Sequence, residues 1–209
     1  AAGGLLAGPL LGLVLAVAQS LLGLVYRSSR VDVEVLGKIH GEKAAWGSVG
    51  NDSSRRTYRG VTVLRPDGPL FWANATSVVG HIEMATRARQ PLYAVVLDLE
   101  ATNQMDTTTA ERLDGLLTRL RAEGTDLYLV RVFGNVRDVL SKSGFLDTLG
   151  PDHVWHSIAA GVKAARAARA AGIDPANPFP TPDEVDPLDE PDELDEGAGE
   201  QIASKGERP

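Results

Sequence analysis

From Gly4 to Val25 the chain reads GLLAGPLLGLVLAVAQSLLGLV, a 22-residue run without a single charge. At about 1.5 Å per residue it would reach roughly 33 Å as a helix, against a hydrocarbon core of about 30 Å. A transmembrane helix over residues 1–26 is therefore expected. Tyr26, Arg27 and Arg30 follow at once. An interfacial Tyr and two Arg just past an apolar run place the following residues on the cytoplasmic side of a cell membrane. A signal peptide is the rival reading, with Ala16-Val17-Ala18 as its cleavage site. It lacks a basic leading region, and Leu21 to Val25 carry the apolar run past that site.

Gly4, Gly8, Gly12, Ala16 and Ser20 recur every four residues along this run. On a helix they form a ridge of small side chains, on which a second helix backbone packs closely. Pro9 adds a kink, and Gln19 favours a protein neighbour over lipid. These features fit the last helix of a polytopic membrane protein, packed against helices upstream of Ala1. A helix that dimerises through the ridge is the other reading.

The net charge of −7 is unevenly spread. Residues 173–209 hold 12 Asp/Glu against Lys205 and Arg208, a balance of −10, which leaves 19 basic and 16 acidic residues elsewhere. That tail also holds seven of the 12 prolines. Such a composition buries no core, so disorder is expected over 173–209. The remainder offers no basic nucleic-acid surface. With no Cys there is no disulfide framework, thiolate metal site or cysteine nucleophile.

Between residues 27 and 172 the pattern is that of one α/β domain. Val31 to Leu36 alternates as a half-buried strand. Residues 37–59 have no period and read as a loop, with Trp46 and Tyr58 pinning it to the body. Val61–Leu64 and Leu70–Trp72 flank Arg65-Pro66-Asp67-Gly68 and predict a hairpin. A helix is expected over 75–89, capped by Asn74, with Val78, Val79, Ile82 and Ala85 inward. Tyr93 to Leu99 is a nearly continuous apolar run, the mark of a central strand buried on both faces. Leu113, Leu116, Leu117 and Leu120 give the next helix its stripe, and Gly124 ends it. A strand over 127–132, a helix over 135–143 capped by Asn135, a short strand near His153 to Trp155 and a helix over 157–171 complete the order. Strand–helix–strand units imply parallel neighbours. The expected fold is a small mixed sheet with helices mainly on one face.

MDTTTAERL, Met105 to Leu113, carries the candidate site. Thr108-Thr109-Ala110-Glu111 fits a capping box, with Thr108 bonding the amide of Glu111. A helix start after a buried strand also suits an anion. A phosphate on Thr107 would sit beside Asp106, and near Asp98 if that side chain points the same way. It would place new charge on an exposed binding surface.

VVLDLEATNQMDTTTAERL, Val95 to Leu113, resembles the central motif of the STAS family, the sulfate-transporter and anti-sigma-factor-antagonist domain. Asp106 matches the motif's Asp, Thr107 the Ser that is phosphorylated in anti-sigma antagonists, and Thr108 the next hydroxyl. Thr109 stands where the family usually has Gly. VYRSSRVDVEVLGKI, VTVLRPDGPLFWANA and RVFGNVRDVLSKSGFLDTLGPDHVW resemble, in the same order, the C-terminal region of sulfate permease (SulP) transporters. The resemblance implies secondary transport of anions such as sulfate, by a membrane core that this chain lacks. It also implies a cytoplasmic STAS domain acting in dimerisation, partner binding or gating. The implied partners are the transporter's remaining membrane helices, a second copy through the membrane part and the STAS domain, and a regulatory protein. A membrane-tethered anti-sigma antagonist switched at Thr107 is the alternative.

Nothing in the chain points to an enzyme, a cofactor or a metal. His40, His81, His153 and His156 lack ligand spacing. Phosphate-binding, dinucleotide and nucleophile-elbow motifs do not occur.

Overall fold

The computed structural model describes residues 3–28, 31–39, 45–51 and 55–171, and in the first helix the side chains of residues 10–25. The expectation of disorder over 173–209 lies outside the described residues, as do the side chains of Tyr26, Arg27 and Arg30.

Helix α1 (Gly3–Ser28) precedes the domain. A six-stranded sheet follows, in the order β2-β1-β3-β4-β5-β6. Its strands are β1 (Val33–Lys38), β2 (Trp46–Ser48), β3 (Val61–Pro66), β4 (Ala94–Asp98), β5 (Asp126–Val130) and β6 (Val154–Trp155). β1 is antiparallel to β2 and β3, whereas β3 through β6 are parallel. The helices are α2 (Ala75–Arg87), α3 (Thr107–Ala122), α4 (Gly134–Lys142), α5 (Phe145–Leu149) and α6 (Ile158–Ala171).

The two-residue period of the strands divides the core into two layers. Leu64, Val95, Leu97, Leu127 and Leu129 face α2 to α5, which contribute Val78, Ile82, Leu113, Leu116, Leu117, Leu120, Leu140 and Phe145. Val61, Val63, Val96 and Val130 face the other way, where α6 supplies Ile158, Val162 and Ala165. Helices thus lie mainly on one face, as expected. All five residues of β4 are buried, which is why its run lacks polar alternation.

The structure departs from the sequence expectation at several places. Leu70–Trp72 is not the return arm of a hairpin. Leu70 instead bridges to Met105 in the loop before α3, because β3 already has strand neighbours on both sides. Val31 is buried in the core ahead of the first strand, so β1 starts at Val33. The stretch 37–59 contains β2, too short and glycine-interrupted to show a period. Trp46 and Tyr58 do meet, with ring centroids 6.0 Å apart, and Arg166 lies 5.6 Å from the Tyr58 ring centre. Asn74 is at the start of α2 but makes no cap bond. Its side chain accepts from the Phe71 amide and donates to the Pro69 carbonyl, each at 2.9 Å. Asn135 lies inside α4, and Phe133 occupies the position before its first turn. Helix α5 follows Gly144 and was hidden by its brevity.

Among the described residues no helix is long and apolar enough to cross a membrane.

Candidate functional site

The carboxyl ends of β3, β4 and β5 form one edge, and the loops leaving it carry the predicted residues. Helix α3 begins there at Thr107. Its cap is Asp106, not Thr108. Asp106 takes extended backbone angles, and its Oδ1 accepts from the Thr109 amide and the Thr109 hydroxyl, both at 2.8 Å. The capping box expected at Thr108 to Glu111 is displaced because a carboxylate two residues earlier already satisfies the free amides of the first turn.

The second oxygen of Asp106 accepts from the Trp72 amide at 2.7 Å. One carboxylate therefore staples the loop after β3 to the start of α3. Burial pushes its pKa up, but the amide and hydroxyl of Thr109 and the amide of Trp72 outweigh that and hold it below the ordinary Asp value. A depressed carboxylate contributes stability above its unfolded-state pKa of about 3.9 and loses it as pH falls through the lower folded value. Asp106→Ala is expected to cost about 1 kcal/mol at neutral pH. Thermal melts of wild type and variant should converge in strong acid, whereas Asp106→Asn, a comparable cap, should lack that pH dependence.

The three threonines differ in environment. Thr107 is exposed, Thr108 half-buried and Thr109 buried. Thr109 spends its hydroxyl on Asp106, and Thr107 is the most exposed of the three.

Asp98 ends β4 fully buried. Arg131 grips it with two bonds, Nε to Oδ1 at 2.8 Å and Nη2 to Oδ2 at 2.5 Å. Arg65, at the end of β3, adds Nε to Oδ2 at 2.5 Å. Glu100 closes the group from the solvent side, with Oε2 2.7 Å from Nη1 of Arg131 and 3.5 Å from Nη2 of Arg65. Two guanidiniums meet two carboxylates, and the group ties together three neighbouring strands. Arg131 has φ +55°, a backbone state that costs a non-glycine residue about 1–3 kcal/mol. Its paired bonds to Asp98 and its amide bond to the Trp155 carbonyl at 3.0 Å hold it there.

The hydrogen bonds join Asp106 to Trp72 and Thr109, and join Asp98 to Arg65, Arg131 and the Glu100 amide. The two aspartates share no partner in these networks, so Asp98 anchors the edge from within while Asp106 and Thr107 lie at its surface. The sequence reading missed Arg65 and Arg131. Their signal was a charge ending each of three adjacent strands. It also missed Trp72 and Phe133, exposed by 68 % and 61 % on loops from this same edge. The ridge of α1 is open: a Cβ added at Gly8 or Gly12 meets nothing within 4 Å, and Ala16 and Ser20 are exposed. Gly4 has no described surroundings.

The family described as STAS domain matches residues 53–161, more than half of the 209. This chain belongs to the STAS domain family. Its relatives include a protein of Mycobacterium tuberculosis named "Probable sulfate transporter Rv1739c", 29 % identical over 160 residues, covering 76 % of this chain and 28 % of that protein. Sulfate transporter 3.2 of Arabidopsis thaliana is 26 % identical over 163 residues, covering 74 % and 25 %. The chain thus spans about a quarter of the length of these relatives. The murine Slc26a9 anion transporter in the inward-facing state shares the fold, with TM-score 0.66 and 20 % identity over 75 % of this chain and 25 % of that one. The STAS domain here is therefore of the kind found in the sulfate transporter family, and the site just described lies on its α3 edge.

Proposed function

We propose that this chain is the C-terminal part of a secondary anion transporter of the sulfate type. Helix α1 is its terminal membrane helix, and the STAS domain is a regulatory and interaction module on the cytoplasmic side. The observation that carries the reading is the surface of α1. Every residue from Leu10 to Val25 is exposed, with Leu10, Leu13, Leu22 and Leu24 all above 60 %. Apolar side chains on all faces of a helix need lipid or other helices around them. The relatives named as sulfate transporters support the same assignment, since they are about four times as long as the matched segment.

In this reading the ridge of Gly4, Gly8, Gly12, Ala16 and Ser20 receives a neighbouring helix of the transporter. Copies pair through the membrane part and the STAS domain. Thr107, exposed beside the Asp106 staple, is the switch position: a phosphate there adds charge to the surface that meets a regulatory protein or the membrane part. Thr107→Glu should weaken that contact by more than a cap loss of about 1 kcal/mol while the melting profile of the domain stays close to wild type. Equal contacts with only an earlier melt would reduce Thr107 to part of the helix start.

Sequencing the locus upstream of Ala1 tests the reading itself. An in-frame run encoding many more apolar helices is expected. A start codon just before Ala1 would instead favour a single-helix tethered signalling domain, with anti-sigma binding as its activity.

A further inference from the structure

The chain enters the STAS domain at the same edge that carries the candidate site. Helix α1 ends at Ser28, and Val31 is already buried in the main core. Three residues span at most about 11 Å, so the end of α1 cannot lie far from this edge. The landing place is set by contacts. The Asp67 amide donates to the Asp32 carbonyl at 2.9 Å, and Val33 pairs with Pro66 at the end of β3. A Cβ on Gly68 would lie 3.5 Å from Val31 Cγ2.

The loop met on arrival is the one that bears Trp72. Leu70 donates its amide to the Gln104 carbonyl at 2.9 Å, and Trp72 donates to Asp106. This fixes the Trp72 backbone while its indole stays 68 % exposed. Phe71 stands edge-on to it, ring centroids 6.5 Å apart. Phe133 projects from the loop after β5 at the same edge, 61 % exposed. A large exposed indole on a backbone held this firmly is poorly explained by solvent.

We propose that this edge faces the lipid headgroup layer and that Trp72 sits in that layer as an interfacial anchor, with Phe133 exposed on the same edge. This rests on α1 being a membrane helix. The polar layer on each side of a bilayer is roughly 6 Å deep, comparable to the tether, and the indole, apolar with one N–H donor, favours that zone. The partner is lipid because the tether itself delivers the edge to the membrane surface.

The test uses the full chain in phosphatidylcholine vesicles whose acyl chains carry bromine near the headgroup, as a quencher of tryptophan emission. Trp46 pairs with Lys38 at the far end of β1, roughly 17 Å from the landing edge at a strand rise of about 3.3 Å per residue, and serves as a distant reference. Flotation with the vesicles is scored first. Trp155 ends β6 at this same edge, so the comparison is made in a Trp155→Phe background, where the expected result is that the chain floats, its emission is partly lost to the brominated lipid, and Trp72→Ser abolishes that loss. The substitution keeps the backbone amide that bonds Asp106. A floating chain whose quenching is the same with and without Trp72 overturns the anchor and leaves the membrane helix standing. A chain that does not float overturns the membrane helix and the anchor together.

Discussion

Asp98→Ala lowers the stability of the STAS domain by about 3 kcal/mol, because it strands two guanidiniums that were arranged around one carboxylate. Arg65 and Arg131 are each only 20 % exposed and Asp98 not at all. Removing the anion leaves their charge in a poorly solvated place, with Glu100 alone, half in water, to answer it. The left-handed turn at Arg131 loses its two side-chain bonds and keeps only its amide bond to the Trp155 carbonyl, so the loop leading to Phe133 and α4 loosens as well. For a domain of this size the melting temperature should fall by about 6–12 °C. Asp98→Asn, which keeps the shape and part of the bonding but not the charge, should fall between the two. A melt unchanged in Asp98→Ala would show that the group contributes no net stability, and that solvent reaches the arginines more freely than their burial indicates.

Gly161→Val destabilises the domain by about 3 kcal/mol through a clash that helix propensity cannot offset. Helix α6 crosses the sheet at Gly161. A Cβ there would lie 2.6 Å from Val130 Cγ1 and 3.4 Å from Val96 Cγ1. Both neighbours are β-branched and fully buried, with little rotamer freedom to yield. Even Gly161→Ala should lose stability, although the same change in an open helix gains about 1 kcal/mol. Gly80 in α2 provides the contrast, since a Cβ there meets nothing within 4 Å, and Gly80→Ala should stabilise. Chemical denaturation of the three variants, read side by side, checks the opposite signs.

The parts of the fold visible in the sequence were those set by local periodicity. The stripe Leu113, Leu116, Leu117 and Leu120 is buried along α3 as its spacing implied. The apolar run of β4 occupies the middle of the sheet. What escaped depended on contacts distant in sequence. Leu70 resembled a hairpin arm because its partner, Met105, lies 35 positions away. The sequence leaves Asp106 only a share of the first-turn donors and assigns the cap itself to Thr108, since the Thr-x-x-Glu pattern is stronger on paper than a lone Asp. Yet Asp106 wins by bonding an amide, a hydroxyl and the remote Trp72 together. The direction of the Asp98 side chain was open in the sequence, because the arginines that enclose it stand 33 residues away on either side. Thr107 itself was legible: its position at the exposed start of a helix follows from the strand before it and the leucine stripe after it.

Uptake of labelled sulfate by the full-length protein reconstituted in vesicles decides whether α1 and the STAS domain belong to an anion transporter. Saturable sulfate entry is expected that requires the membrane part and changes in rate, without loss of inserted protein, when Thr107 becomes Glu. Vesicles carrying inserted, folded protein that take up neither sulfate nor a related anion would contradict that assignment.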